Sequence, residues 1–231
     1  LTVATAVDPS RAVPIFTVSG PLDQTGTGYE DENRFTVERD SPRGILYVPG
    51  TPGEVWLTNY YSSTVSRYNA STGVPIGSPI ATQNGPIALC YLSTTTPATV
   101  WVANYLSDSV TRINTSDLTT TNVALGTGTA PVDIAADLTT NTVWTVNNGI
   151  TAGNNNPQPV AQILGNTPYT VTGVRANAGY PTSICYDPGS GGSLAYMWIG
   201  YAVSANITSF QCTSPTTRAS SAIGTTNEYY S

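Results

Sequence analysis

The sequence predicts an all-β chain: a five-bladed β-propeller of four-stranded antiparallel blades, closed by the C-terminal strand joining the N-terminal blade. Three observations predict it. A tryptophan-centred segment recurs at Trp56, Trp101, Trp144 and Trp198, spaced 45, 43 and 54 residues apart. Each Trp follows a Pro that opens a short apolar run: PRGILY from Pro42, PIALCY from Pro86, PVDIAA from Pro131 and PTSICY from Pro181. Behind each Trp come two further alternating runs, so a unit reads as four short strands with turns between them.

The elements follow in order. Pro is tolerated at the first residue of a strand, where no ladder donor is needed, so the Pro-led run is the first strand. The Trp run is the second. The third reads TVSRYN, SVTRIN, PVAQIL and NITSFQ, and the fourth falls around SPIATQ, NVALGT, TVTGVRA and SSAIGTT. Residues 1–16 lie without a gap on 99–113 from Val3 onward, Ala4 taking the Trp place and Phe16 matching Ile113. The opening segment therefore supplies blade strands but lacks a first one, and the tail at Glu228 falls where such a strand would begin. The expected blades of a single domain, 1–231, are 1–40 with 226–231, then 41–84, 85–128, 129–177 and 178–225. An unclosed ring would leave two apolar sheet faces bare, which gives closure its physical reason.

Composition narrows the setting. Only 10% of the 231 residues are charged, the net charge is −6, all eight basic residues are Arg, and His is absent. No basic cluster supports a nucleic-acid partner. No run of 18 apolar residues suggests a membrane span, and no leader pattern is present. Thr, Ser, Asn and Gly carry the polarity, and sequons at Asn69, Asn114 and Asn206 are glycosylation candidates. Cys90, Cys185 and Cys212 read as small buried hydrophobes, without metal-ligand spacing.

VWVANYLSDSVTRINTSDL followed by GTGTAPVDIAAD resembles the YVTN-type β-propeller repeat of microbial surface and secreted proteins, itself similar to NHL-type repeats. The resemblance covers most of the chain and specifies fold better than activity. It implies extracellular or surface-displayed binding and structural modules. Related propellers include streptogramin lyases and lactonases that act at the ring's centre, and the lyase-type site relies on His.

The turns between second and third strands share one end of the ring with the loops entering each next blade. That end would carry the channel-mouth candidates Arg43, Asp133, Tyr180 and Glu228. Asp133 and Glu228 are the pair able to act as general acid and base. Glu30, Asp31 and Glu32 lack calcium-loop spacing, so no metal or cofactor is expected. Arg67 and Arg112 match in register, as a small basic stripe or as solvent-facing strand positions. The function expected from these features is a non-catalytic structural or adhesive module on a cell or virion surface. Its expected partners are glycans, other surface proteins or copies of itself in a homopolymer. The alternative is a carbohydrate- or lactone-active enzyme using channel carboxylates, or a multivalent lectin.

Overall fold

The computed structural model describes residues 41–149, 159–174, 180–189, 194–202, 206–212 and 214–222. They form four antiparallel sheets, each of four consecutive strands in up-and-down order. The first holds β1 (Pro42–Val48), β2 (Glu54–Asn59), β3 (Thr64–Asn69) and β4 (Ile80–Ala81). The second holds β5 (Pro86–Leu92), β6 (Thr99–Asn104), β7 (Ser109–Asn114) and β8 (Thr120–Ala124). The third holds β9 (Pro131–Asp137), β10 (Thr142–Asn147), β11 (Val160–Leu164) and β12 (Val171–Val174). The fourth holds β13 (Pro181–Asp187), β14 (Tyr196–Tyr201), β15 (Asn206–Gln211) and β16 (Ser214–Ala222).

A Pro opens the first strand of every sheet, as the sequence predicts, and the ladder slips register just beyond it each time. These first strands form the inner row, β1 against β5, β5 against β9 and β9 against β13. Approach is close. A Cβ on Gly44 would lie 2.8 Å from the Ile87 carbonyl oxygen and 2.9 Å from the Ala88 Cα, so glycine is required there.

Each junction between sheets has its own core. Trp56, Val65 and Ile80 meet Val100, Val102 and Ile113 across the first. Trp101, Ala103 and Val110 meet Val143, Ala161 and Ile163 across the second. Trp144, Val146 and Val160 meet Met197, Ile199 and Phe210 across the third. Successive side chains on a strand face opposite ways, so Trp56, Trp101 and Trp144 face the following sheet, and the strand neighbours of Trp101 and Trp144 face the preceding one. β6 and β10 are packed on both faces, so all six residues of TVWVAN and of TVWTVN are buried, their Thr and Asn included. Trp56, Trp101 and Trp144 are wedges at these junctions.

Two expectations need correction. The fourth strands fall around their expected stretches, β4 within SPIATQ and β12 within TVTGVRA, but β8 begins at Thr120 and β16 at Ser214, ahead of NVALGT and SSAIGTT. Their extent is set by pairing with the third strand, as β16 pairs along all of β15. Cys90 and Cys212 are buried but Cys185 is exposed, because it lies opposite Trp198 on the outward face of the fourth sheet. The proposed fifth blade, residues 1–40 with 226–231, lies outside the described residues.

Candidate functional site at the axial end

The second-to-third-strand turns and the loops entering each next sheet are bonded to one another at one end of the arc. Tyr105 N donates to Gly85 O at 2.8 Å, Leu106 N to Asn84 O at 3.2 Å, Thr82 N to Ser63 O at 2.9 Å and Asn148 N to Ala130 O at 3.0 Å. The residue before the strand-opening Pro takes a left-handed backbone in three sheets: Ser41 (φ 47°), Gly85 (φ 69°) and Ala130 (φ 44°). At Ala130, which has no glycine's freedom, the turn is held by Asp108. Its carboxylate accepts from Gly128 N at 2.7 Å, Ala130 N at 2.8 Å and the Thr129 hydroxyl at 3.4 Å. Asp108 thus ties the second sheet to the loop that starts the third. Sequence reasoning missed it, although it stands in register with Ser63, whose hydroxyl donates to Asn84 Oδ1 at 3.4 Å.

Arg43 is exposed at the register slip of β1, with its guanidinium carbon 4.7 Å above the Tyr60 ring. Tyr60 meets Tyr61 edge-on at 5.2 Å. Tyr61 is 70% exposed, Leu106 in the same place of the next sheet 59%, and Tyr180, before β13, 44%. The turns thus present aromatic and aliphatic surface to water, with Arg43 against the Tyr60–Tyr61 pair.

Asp133 sits on β9 near the same end. Its Oδ1 accepts from Ile134 N and its Oδ2 from Ile184 N on β13, both at 2.9 Å. The expected channel carboxylate therefore also fastens the third sheet to the fourth. Burial pushes its carboxyl above the usual range, against the two backbone N–H groups that pull it down. Glu228, its expected partner, lies outside the described residues.

Away from the axis, Arg67 and Arg112 form neither a basic stripe nor a plain solvent face. Arg67 pairs with Glu54 at 3.3 Å and lies over Trp56, whose Nε1 donates to the same carboxylate. Arg112 lies over Tyr169 instead, because Thr99 replaces the glutamate and takes the Trp101 Nε1 donor. Asn69 and Asn114 end third strands, their Oδ1 atoms accepting from Ser71 N and Ser116 N in side-chain-closed turns. Asn206 opens β15. Among the described residues no group of three acidic, Cys or His residues could hold a metal, and no helix is long and apolar enough to cross a membrane.

Four face-packed, four-stranded antiparallel sheets with adjacent inner strands define a β-propeller architecture. Solved structures bear this out. The chain is similar to hydrazine synthase from Kuenenia stuttgartiensis (TM-score 0.64, 16% identity), over 84% of this chain and 53% of that one. It is similar also to virginiamycin B lyase from Staphylococcus aureus (TM-score 0.61, 18% identity), over 80% of this chain and 56% of that one. A protein of unknown function from Desulfotomaculum acetoxidans is a third (TM-score 0.56, 15% identity), over 74% and 55%. The chain spans about half the length of these structures. No family model and no curated protein sequence matches it.

These likenesses correct the functional expectation. The fold was expected to be a non-catalytic structural or adhesive module, but the similar propellers include enzymes, a synthase and lyases. Low charge and missing histidine bear on mechanism and solubility; they do not make a propeller passive.

Proposed function

We propose that the chain is a propeller enzyme acting on a carbohydrate or lactone at the axial end, with Asp133 as the proton-transferring carboxyl. The observation that carries this is the state of Asp133: half-buried on an inner strand at the axial end, where burial raises its carboxyl above the ordinary range. A histidine-to-alanine virginiamycin B lyase is catalytically inactive. This chain has no histidine, so its proton transfer falls to carboxylates, with Glu228 as the partner. The test is turnover of a panel of aryl glycosides and chromogenic lactones by wild type and Asp133→Asn. The substitution should lower turnover about 10²–10⁴-fold without lowering the melting temperature. Inactivity of the wild type on every substrate, or equal rates for both proteins, would contradict the reading.

The same proposal includes closure as five blades, with residues 1–40 and 226–231 forming the fifth and the repeat being of YVTN type. Support comes from the two end faces of the four-sheet arc, which carry residues of the kind buried elsewhere. Deleting 226–231 should lower the melting temperature clearly; an unchanged melting curve counts against closure.

A further inference from the structure

We infer that Arg43, Tyr60 and Tyr61 form a clamp for a carboxylate-bearing sugar ring, a hexuronate, at the axial end. The inference rests on the reading of that end as the working end, and it names the substrate class.

Arg43 is singular among its equivalents. The matching residues of the other inner strands are Ile87, Val132 and Thr182, none charged. The register slip between Pro42 and Ile45 takes it out of the regular ladder, a device that re-aims a side chain. No carboxylate among the described residues reaches it, since the ion pair found there joins Arg67 to Glu54. Tyr60, lying 4.7 Å beneath its guanidinium carbon, supports the cation from one side. A guanidinium supported on its face keeps its edge donors for a planar, two-oxygen acceptor, which is a carboxylate.

The second half is the ring surface. Tyr61 stands edge-on to Tyr60 with 70% of its surface in water, a large ring that contributes little to the core. An exposed tyrosine presents an apolar face with a polar tip, suited to a ligand with C–H faces and hydroxyl edges. A sugar acid meets both requirements: its ring covers Tyr61 and its carboxylate meets Arg43.

Calorimetric titration of the intact chain with D-glucuronate, its uncharged methyl ester and benzoate tests this, with Arg43→Gln, Tyr61→Ala and Asp133→Asn beside the wild type. Glucuronate should bind about 10–100-fold more tightly than the ester, and Arg43→Gln should erase that difference. Tyr61→Ala should weaken acid and ester alike, severalfold. Equal affinity for acid and ester, or no binding of glucuronate, overturns the clamp. Benzoate binding as tightly as glucuronate overturns the sugar assignment. A lowered melting temperature for Arg43→Gln without any change in glucuronate binding would show Arg43 serving this chain's own carboxylate, and also overturns it. Binding retained by Asp133→Asn alongside wild-type inactivity would separate failure of the catalytic reading from failure of the clamp.

Discussion

The junction between the second and third sheets differs sharply from the two end faces of the arc. At the junction, Cys90 and the cross-strand Trp101 are 7% and 0% exposed. At the far face of the fourth sheet, the same cross-strand pair is Cys185 and Trp198, and the cysteine is exposed and the tryptophan half-buried. The near face of the first sheet repeats the contrast. Leu89 and Tyr91 pack against the first sheet, whereas their equivalents Ile45 and Tyr47 are 72% and 58% exposed. Residue types buried at the junctions are thus left bare at the two ends of the described arc. If a fifth blade closes the ring, those ends are the two sides of one slot.

The largest effect should come from the wedges. Trp101→Ala should cost about 3–5 kcal/mol, by lost transfer energy and the cavity left behind. The sharper comparison is Trp198→Ala. If a fifth blade covers it, the loss measured by urea denaturation should approach that of Trp101→Ala; a loss of about 1 kcal/mol or less would mark an open face.

Next is the tie between sheets. Asp108→Ala removes the acceptor for Gly128 N, Ala130 N and the Thr129 hydroxyl, and should cost about 1–3 kcal/mol. Asp108→Asn should recover part of that loss, since one oxygen acceptor survives. Equal stability of wild type and Asp108→Ala would remove Asp108 as the fastening of that junction.

The smallest effect is the pH dependence at Asp133. Its folded pKa is raised, so protonation favours the folded chain. Its favourable contribution is complete below the unfolded carboxylate pKa and is lost as pH rises through the raised folded value. Asp133→Asn should therefore be at least as stable as wild type near neutrality, with the difference shrinking as the solution is acidified. A variant less stable at neutral pH would show that the charged carboxylate's bond to Ile184 N outweighs its burial.

Much of this was legible in the sequence. The Pro-to-Trp spacing located the first three strands of all four described sheets, because the same Pro-led and Trp-centred runs recur in each. The starts of β8 and β16 escaped the pattern because an exposed edge strand lacks it: β8 carries Thr120, Thr121 and Asn122, all exposed. Asp133 was recognised as a residue of the channel end, but its bond to Ile184 joins two sheets 51 residues apart in the chain, a relation that neither local spacing nor the repeat displays. Arg67 and Arg112 show the same limit. Their equivalence was visible, while their different partners depend on Glu54 against Thr99 and on Tyr169 from a neighbouring sheet.

The most direct measurement is the reaction of native thiols with a chromogenic disulfide reagent. Cys90 and Cys212 are buried, and burial pushes both thiols up, so neither should react. Closure as five blades requires that Cys185, exposed on the face of the fourth sheet, be protected in the intact folded chain and react once residues 1–40 are removed. Immediate reaction of one thiol in the intact chain, abolished by Cys185→Ser, would contradict it.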